Sequence, residues 1–198
     1  LRHTIELDPN HLSCYALTIE EGTSLKTAIQ RGLVPAPDEE LQNRMEDLAE
    51  EILSRAGYER YEISNYCRHG FASRHNRLHW TGGHYLGIGP SAQSYLGGRR
   101  FGNVSDLRAY NAALKDGRLP VSESARLTQA DESCERLVFG LRLIDGISLS
   151  QTGALSFPAL TQGVDKLLAE ELLERQGDVV RLTTRGRRYA DTVAEIGR

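Results

Sequence analysis

The sequence predicts an α/β protein in two parts, one running to residue 120 and the other a helical, winged-helix-like domain over residues 121–198. Three observations carry this reading. Leu1 to Leu7 has the apolar spacing of a helix end; past Asp8-Pro9-Asn10 the chain enters the apolar run Leu12 to Ile19. That is how a βα repeat reads when it is entered in mid-unit, because a strand covered on both faces is continuously apolar. Next, Asp38 to Ala56 carries Leu41, Met45, Leu48, Ile52 and Leu53 at helical spacing, with Gly57 placed to close the helix. Finally, Leu119-Pro120-Val121-Ser122-Glu123-Ser124 reads as a linker, and capped helices follow it. The opening in mid-helix without Met predicts a piece of a longer chain. The alternative for this end is a helix packed on a lone hairpin.

The remaining elements follow in order. Tyr58 to Tyr66 alternates and is aromatic enough for a strand, and Tyr85 to Ile88 and Ala92 to Leu96 predict two short strands around a glycine turn. Between them lies a polar, histidine-rich loop. A helix from Asp106 to Asp116 is expected with Ser105 as cap and Gly117 as its close. In the second part, Thr128 caps a helix through Leu143 with Asp131 and Glu132 in its first turn, favourable to the helix dipole. Val164 to Arg175 reads as a second helix, Gln176-Gly177-Asp178 as a turn, and Val179 to Leu182 as a strand. Thr183 or Thr184 then caps a last helix through Ile196. Helix, turn, strand and capped helix are the ingredients of a winged-helix-like module.

Composition narrows the function classes. The 198 residues carry 24 Lys and Arg against 27 Asp and Glu, a net charge of −3, so no global basic field argues for wrapping nucleic acid. No run approaches the roughly 18 apolar residues of a spanning helix, and Arg2, His3, Glu6 and Asp8 stand where a secretory signal is apolar. A cytoplasmic protein with no integral membrane segment is the expectation. Cys14, Cys67 and Cys134 form no CxxC pair, which fits reduced thiols and offers no ready thiolate site for a metal or an iron-sulfur cluster.

Chemistry concentrates in one stretch. His69, His75, His79 and His84 fall close together beside Cys67 and Trp80. Imidazoles, a thiolate and an aromatic wall suit a metal ion or a porphyrin; the bland reading is loop histidines bonded to backbone carbonyls. His75 and His79 have the i, i+4 spacing of a helical zinc site, but Asn76 stands where a zinc hydrolase needs its general base, and Gly70, Gly82 and Gly83 argue against a helix. Leu86-Gly87-Ile88-Gly89-Pro90 is a glycine turn of the kind that approaches phosphates. It lacks the rest of GxGxxG, and a tight strand turn is the simpler reading.

Four segments taken together resemble a known family. They are Cys14-Tyr15-Ala16-Leu17-Thr18-Ile19-Glu20 with Gly22-Thr23, then Gly57 to Tyr66 (GYERYEISNY), His75-Asn76-Arg77-Leu78-His79-Trp80, and Tyr85 to Ser94 (YLGIGPSAQS). Their order and spacing resemble the radical S-adenosylmethionine proteins related to oxygen-independent coproporphyrinogen III oxidase, and among these the heme chaperone branch with its HNxxYW motif. Gly140-Leu141-Arg142 and Leu182-Thr183-Thr184-Arg185-Gly186 are similar to that branch's C-terminal region. The resemblance implies the last βα part of a partial (βα)6 barrel with short accessory strands over 1–120, and the winged-helix-like domain over 121–198. It implies heme or porphyrin binding and delivery to respiratory heme-acceptor proteins. His75 is the implied heme ligand, His79 the second candidate, and Trp80 a stacking wall. Thr18 and Gln93 are the implied S-adenosylmethionine contacts, and no catalytic residue or metal ligand is assigned to this chain.

Two departures bear on function. The family's CxxxCxxC motif is absent here, so the [4Fe-4S] cluster and S-adenosylmethionine are expected in the full-length parent and not in this chain alone. His79 stands at the Tyr of HNxxYW. Within the family, coproporphyrinogen oxidation is the alternative activity. Outside it, a winged-helix nucleic-acid-binding regulator is the alternative, drawn from six Arg between Arg175 and Arg198 against Asp178, Asp191 and Glu195.

Overall fold

The computed structural model describes residues 1–196, so Arg198 of the basic C-terminal segment lies outside it. The chain is α/β and divides into two compact units, residues 1–72 and the residues from Ser73 onward. Every strand pairing among the described residues is antiparallel.

The first unit holds helix α1 (Arg2–Glu6), strand β1 (His11–Ser13), helices α2 (Ser24–Gln30) and α3 (Glu39–Arg55), and strands β2 (Glu59–Glu62) and β3 (Asn65–Cys67). The expected strand from Leu12 to Ile19 ends at Ser13, whose partner Asn65 is the first residue of β3; the run from Tyr15 to Thr18 is exposed and irregular. Likewise, the strand expected over Tyr58–Tyr66 is a hairpin. The Glu62 carboxylate accepts the Ser64 N–H at 2.6 Å and the Asn65 amide at 2.5 Å, which folds the chain back in a sheet of order β1-β3-β2. Helix α3 matches its expected bounds: Asp38 caps it by accepting the Leu41 N–H at 2.6 Å, and Gly57 closes it at φ +81°. Its docking uses one end. Leu53 is fully buried with Leu12, Tyr58 and Tyr66, while Leu41, Met45 and Leu48 stay about half exposed. Arg60 of β2 ties the helix to the hairpin through Glu46 and Glu50, each at 2.7 Å.

The second unit begins with helix α4 (Arg74–Trp80), strands β4 (Gln93–Leu96) and β5 (Arg99–Asn103), helix α5 (Leu107–Lys115) and strand β6 (Val121–Arg126), and β4-β5-β6 form a sheet. Four expectations are corrected here. The histidine-rich loop contains a helix: Ser73 caps it, and Gly70 and Gly82 lie outside it as turn residues. Residues 121–126, at the expected linker, pair with β5 along its length. Asp106, not Ser105, caps α5 by accepting the Ala109 N–H at 2.8 Å. Residues 85–88 make only a single bridge, between Tyr85 and Tyr95.

Helix α6 (Gln129–Gly140), strand β7 (Ile147–Ser148), helix α7 (Leu149–Thr152), a 3-10 turn (Ala154–Ser156), helix α8 (Pro158–Ala169), strands β8 (Leu173–Gln176) and β9 (Val179–Leu182), and helices α9 (Thr184–Arg188) and α10 (Ala190–Val193) complete the unit. The Thr128–Asp131 capping box forms as expected, and Thr183 caps α9. The second helix of this part is displaced from Val164–Arg175 because Pro158 starts it and Glu171, at φ +57°, ends it; Leu173 then pairs with Leu182. Leu137, Leu141, Leu149, Leu160, Val164 and Val180 are buried in this part of the chain. Gly186 is required where α9 meets the end of α8, since a Cβ there would lie 1.9 Å from the Leu172 carbonyl oxygen.

Candidate functional site

Helix α4 is short, and its i, i+4 spacing puts His75 and His79 on one face. Their Nε2 atoms are 3.2 Å apart and their rings stand edge to face, with centroids at 4.6 Å. His75 is exposed; His79 is half-buried, with its ring 4.2 Å from that of Tyr85. Burial, followed by His75 and Arg100, holds the His79 imidazole below the ordinary histidine value. It therefore favours the neutral form, which keeps a lone pair.

Trp80 lies at the end of the same helix. The Arg142 guanidinium covers its ring at 4.4 Å, and Phe139 lies at 6.3 Å between centroids. Its Nε1 is buried without a hydrogen-bond acceptor among the described residues, an unusual state for an indole. His79 and Trp80 border a cleft of about 230 Å³, with Tyr85, Tyr95, Arg100, Glu132, Glu135, Arg136 and Phe139 around it. Arg100 donates to both oxygens of Glu135, at 3.1 and 2.5 Å, and to the Tyr85 hydroxyl at 3.0 Å. Opposite it, the Tyr95 hydroxyl donates to Glu132 at 3.1 Å; burial, then this carboxylate, pushes its pKa up. Aromatic faces and guanidinium groups thus share one opening.

The three residues expected at a heme site, His75, His79 and Trp80, share α4; His79 and Trp80 line the cleft, and His75 lies against His79. Of the expected cosubstrate contacts, Thr18 is exposed in the first unit and Gln93 opens β4 in the second, where its amide donates to Glu123 at 3.1 Å. In the glycine turn, the Gly87 N–H donates to Ser94 Oγ at 3.0 Å and the Gly89 N–H to the Tyr110 hydroxyl at 3.1 Å. Those donors are committed to the fold rather than to a phosphate. Sequence reasoning missed Tyr95, Arg100, Glu135 and Phe139. A signal was present, because Glu132, Glu135, Arg136 and Phe139 repeat at helical spacing, a polar and aromatic stripe where a core-facing helix has an apolar one.

The residues do not fit an iron-sulfur cluster. Cys67 is buried and Cys14 and Cys134 are partly buried, and among the described residues no group of three or more His, Cys, Asp or Glu could hold a metal ion.

Residues 127–189 match the HemN C-terminal domain. The heme chaperone HemW of Mycobacterium tuberculosis (strain ATCC 25618 / H37Rv) is 36% identical over 189 residues, which is 96% of this chain and 47% of that protein. HemW of Bacillus subtilis (strain 168) is 29% identical over 98% of this chain and 53% of its own length. The mitochondrial radical S-adenosyl methionine domain-containing protein 1 of Mus musculus is 48% identical over 83 residues, 42% of this chain and 19% of that protein. The chain thus spans about half the length of the heme chaperones it matches. Coproporphyrinogen III oxidase (HemN) of Escherichia coli, described as a radical SAM enzyme, shares the fold with a TM-score of 0.71 and 17% identity, over 99% of this chain and 49% of that one. Residues 127–189 are thus similar to the HemN C-terminal domain, and 96–98% of the chain is similar to about half of the heme chaperones HemW.

Proposed function

We propose that the protein binds heme at the α4 cleft and passes it to respiratory heme-acceptor proteins, working with a [4Fe-4S] cluster and S-adenosylmethionine in a full-length parent. One observation carries this reading: an exposed imidazole, His75, stands beside a cleft walled by Trp80 and Phe139 and edged by Arg100 and Arg136. A neutral imidazole supplies the iron ligand, the aromatic faces cover the macrocycle, and guanidinium groups face propionates. At about 230 Å³ the cleft seats an edge of the macrocycle rather than all of it.

The finer assignments belong to the same proposal. Residues 1–120 represent the last part of a partial (βα)6 radical SAM barrel with accessory strands, and Thr18 and Gln93 contact S-adenosylmethionine in the longer protein. Residues 121–198 form a winged-helix-like domain, a reading supported by the β8–β9 hairpin that leads into the capped helix α9. A cytoplasmic location is likewise proposed; among the described residues no helix is long and apolar enough to cross a membrane.

Hemin titration tests the proposal. His75→Ala is expected to shift the Soret band and weaken binding, with His79→Ala doing less. Unchanged spectra and affinity in His75→Ala would reject it as the ligand.

A further inference from the structure

The i, i+4 histidine pair has a geometry that heme ligation does not use. Both imidazoles stand on the same side of one helix, so the two cannot take opposite axial positions on a single porphyrin iron. Their Nε2 atoms nevertheless lie 3.2 Å apart, close enough for one ion to reach both. A first-row divalent ion bound at about 2.0–2.1 Å from each nitrogen would subtend an N–metal–N angle of about 100°, between square and tetrahedral values. We infer that His75 and His79 form a two-imidazole chelate for a borderline divalent transition ion such as Cu(II) or Zn(II), with water filling the remaining positions.

Three observations support the site. The pair is pre-organised, because the His79 ring is held against Tyr85 at 4.2 Å and His75 completes the pair from the exposed side. Arg100, the cation of another element that acts on His79, is paired with Glu135 by two hydrogen bonds, which offsets part of its charge. Arg74 and Arg77 fall on other faces of α4, at positions one and two residues removed from the pair. Imidazole suits Zn and Cu, with Cu(II) the tighter by the usual order of divalent affinities. Binding displaces the proton shared between the two nitrogens: each Nε2 donates a lone pair to the ion, and the displaced proton is carried on Nδ1 of the same ring, so both imidazoles bind in the neutral form.

Titrating Cu(II) and Zn(II) into the untagged 198-residue chain tests this. One ion per chain is expected, with Cu(II) electron paramagnetic resonance showing coupling to two equatorial imidazole nitrogens. Each of His75→Ala and His79→Phe should remove one nitrogen coupling and weaken affinity by at least the roughly 10-fold to 100-fold that loss of even an outer-shell partner costs. His75 is exposed, so its truncation leaves the fold intact, and Phe at 79 keeps the ring contact with Tyr85. The control His84→Ala should change nothing. Equal spectra and affinity in either pair variant, or a loss in His84→Ala as large as theirs, would overturn the site. One consequence rests on the heme proposal: an ion on both nitrogens occupies His75, so Zn(II) should suppress the hemin Soret shift in the parent chain but not in His79→Phe. Zinc binding without that suppression keeps the chelate and counts against His75 as heme ligand.

Discussion

Helices α3 and α8 carry equally clear amphipathic sequences but are used differently. Helix α8 buries Leu160, Val164 and Leu167, whereas α3, the longest helix described, buries Leu53 and leaves Leu41, Met45 and Leu48 between 48% and 61% exposed. A stripe of apolar residues therefore reports which side of a helix repels water, and says nothing of how much cover it receives. Burial is accordingly uneven along the chain: the first unit has a cluster of four buried residues, while the second buries a larger set, Leu137, Leu141, Leu149, Leu160, Val164 and Leu167 among them, around α6, α7 and α8.

The largest test of this contrast compares three leucines. Leu137→Ala and Leu53→Ala each remove a fully buried side chain and are expected to cost roughly 2–5 kcal/mol, Leu137 in the second unit and Leu53 in the first. Leu48→Ala, on the open side of α3, should stay within about 0.5 kcal/mol. Urea unfolding followed by a probe in each unit would read the three; a Leu48→Ala loss as large as that of Leu53→Ala would mean that α3 is covered in solution.

A smaller effect sharpens the second unit's side of the comparison. Gly186→Ala places a methyl against the Leu172 carbonyl, and relief by backbone movement is expected to cost roughly 1–3 kcal/mol. A neutral result in thermal unfolding would show that α9 is free to shift away from the end of α8.

The smallest effect is electrostatic. The Asp131 carboxylate is held below its ordinary value of 3.8, first by the Thr128 hydroxyl and then by the Thr128 N–H. Because the folded value is the depressed one, its contribution is complete above the ordinary carboxylate range and is lost as pH falls through that range toward the folded value. Asp131→Asn should remove this acid-side dependence from the unfolding midpoint and leave the neutral-pH slope alone. A midpoint that falls with acid as steeply in the variant as in the parent would place the acid-sensitive group elsewhere.

Features closed by local chemistry were legible in the sequence. Asp38, Thr128 and Thr183 announce helix starts because a side-chain oxygen and an amide two or three residues away suffice to make a cap. Elements that depend on distant partners were not. Residues 121–126 look like a linker until β5 is beside them, and Leu173 to Gln176 continue a helical pattern until Glu171 breaks it with positive φ. At the site, His75, His79 and Trp80 were legible as one cluster, although the flanking glycines concealed the helix that aligns them. Arg100 and Glu135 converge from β5 and α6, a meeting that no local pattern encodes.

Trp80 is the chain's one tryptophan, and it forms a wall of the cleft between Arg142 and Phe139. Indole emission from this protein therefore arises at a single known point, with no second emitter to average over. A chromophore whose absorption overlaps that emission will quench it as it enters the cleft, whereas closed-shell Zn(II) on the neighbouring histidines adds no absorption there. The molecule carries its own optical gauge of what occupies α4.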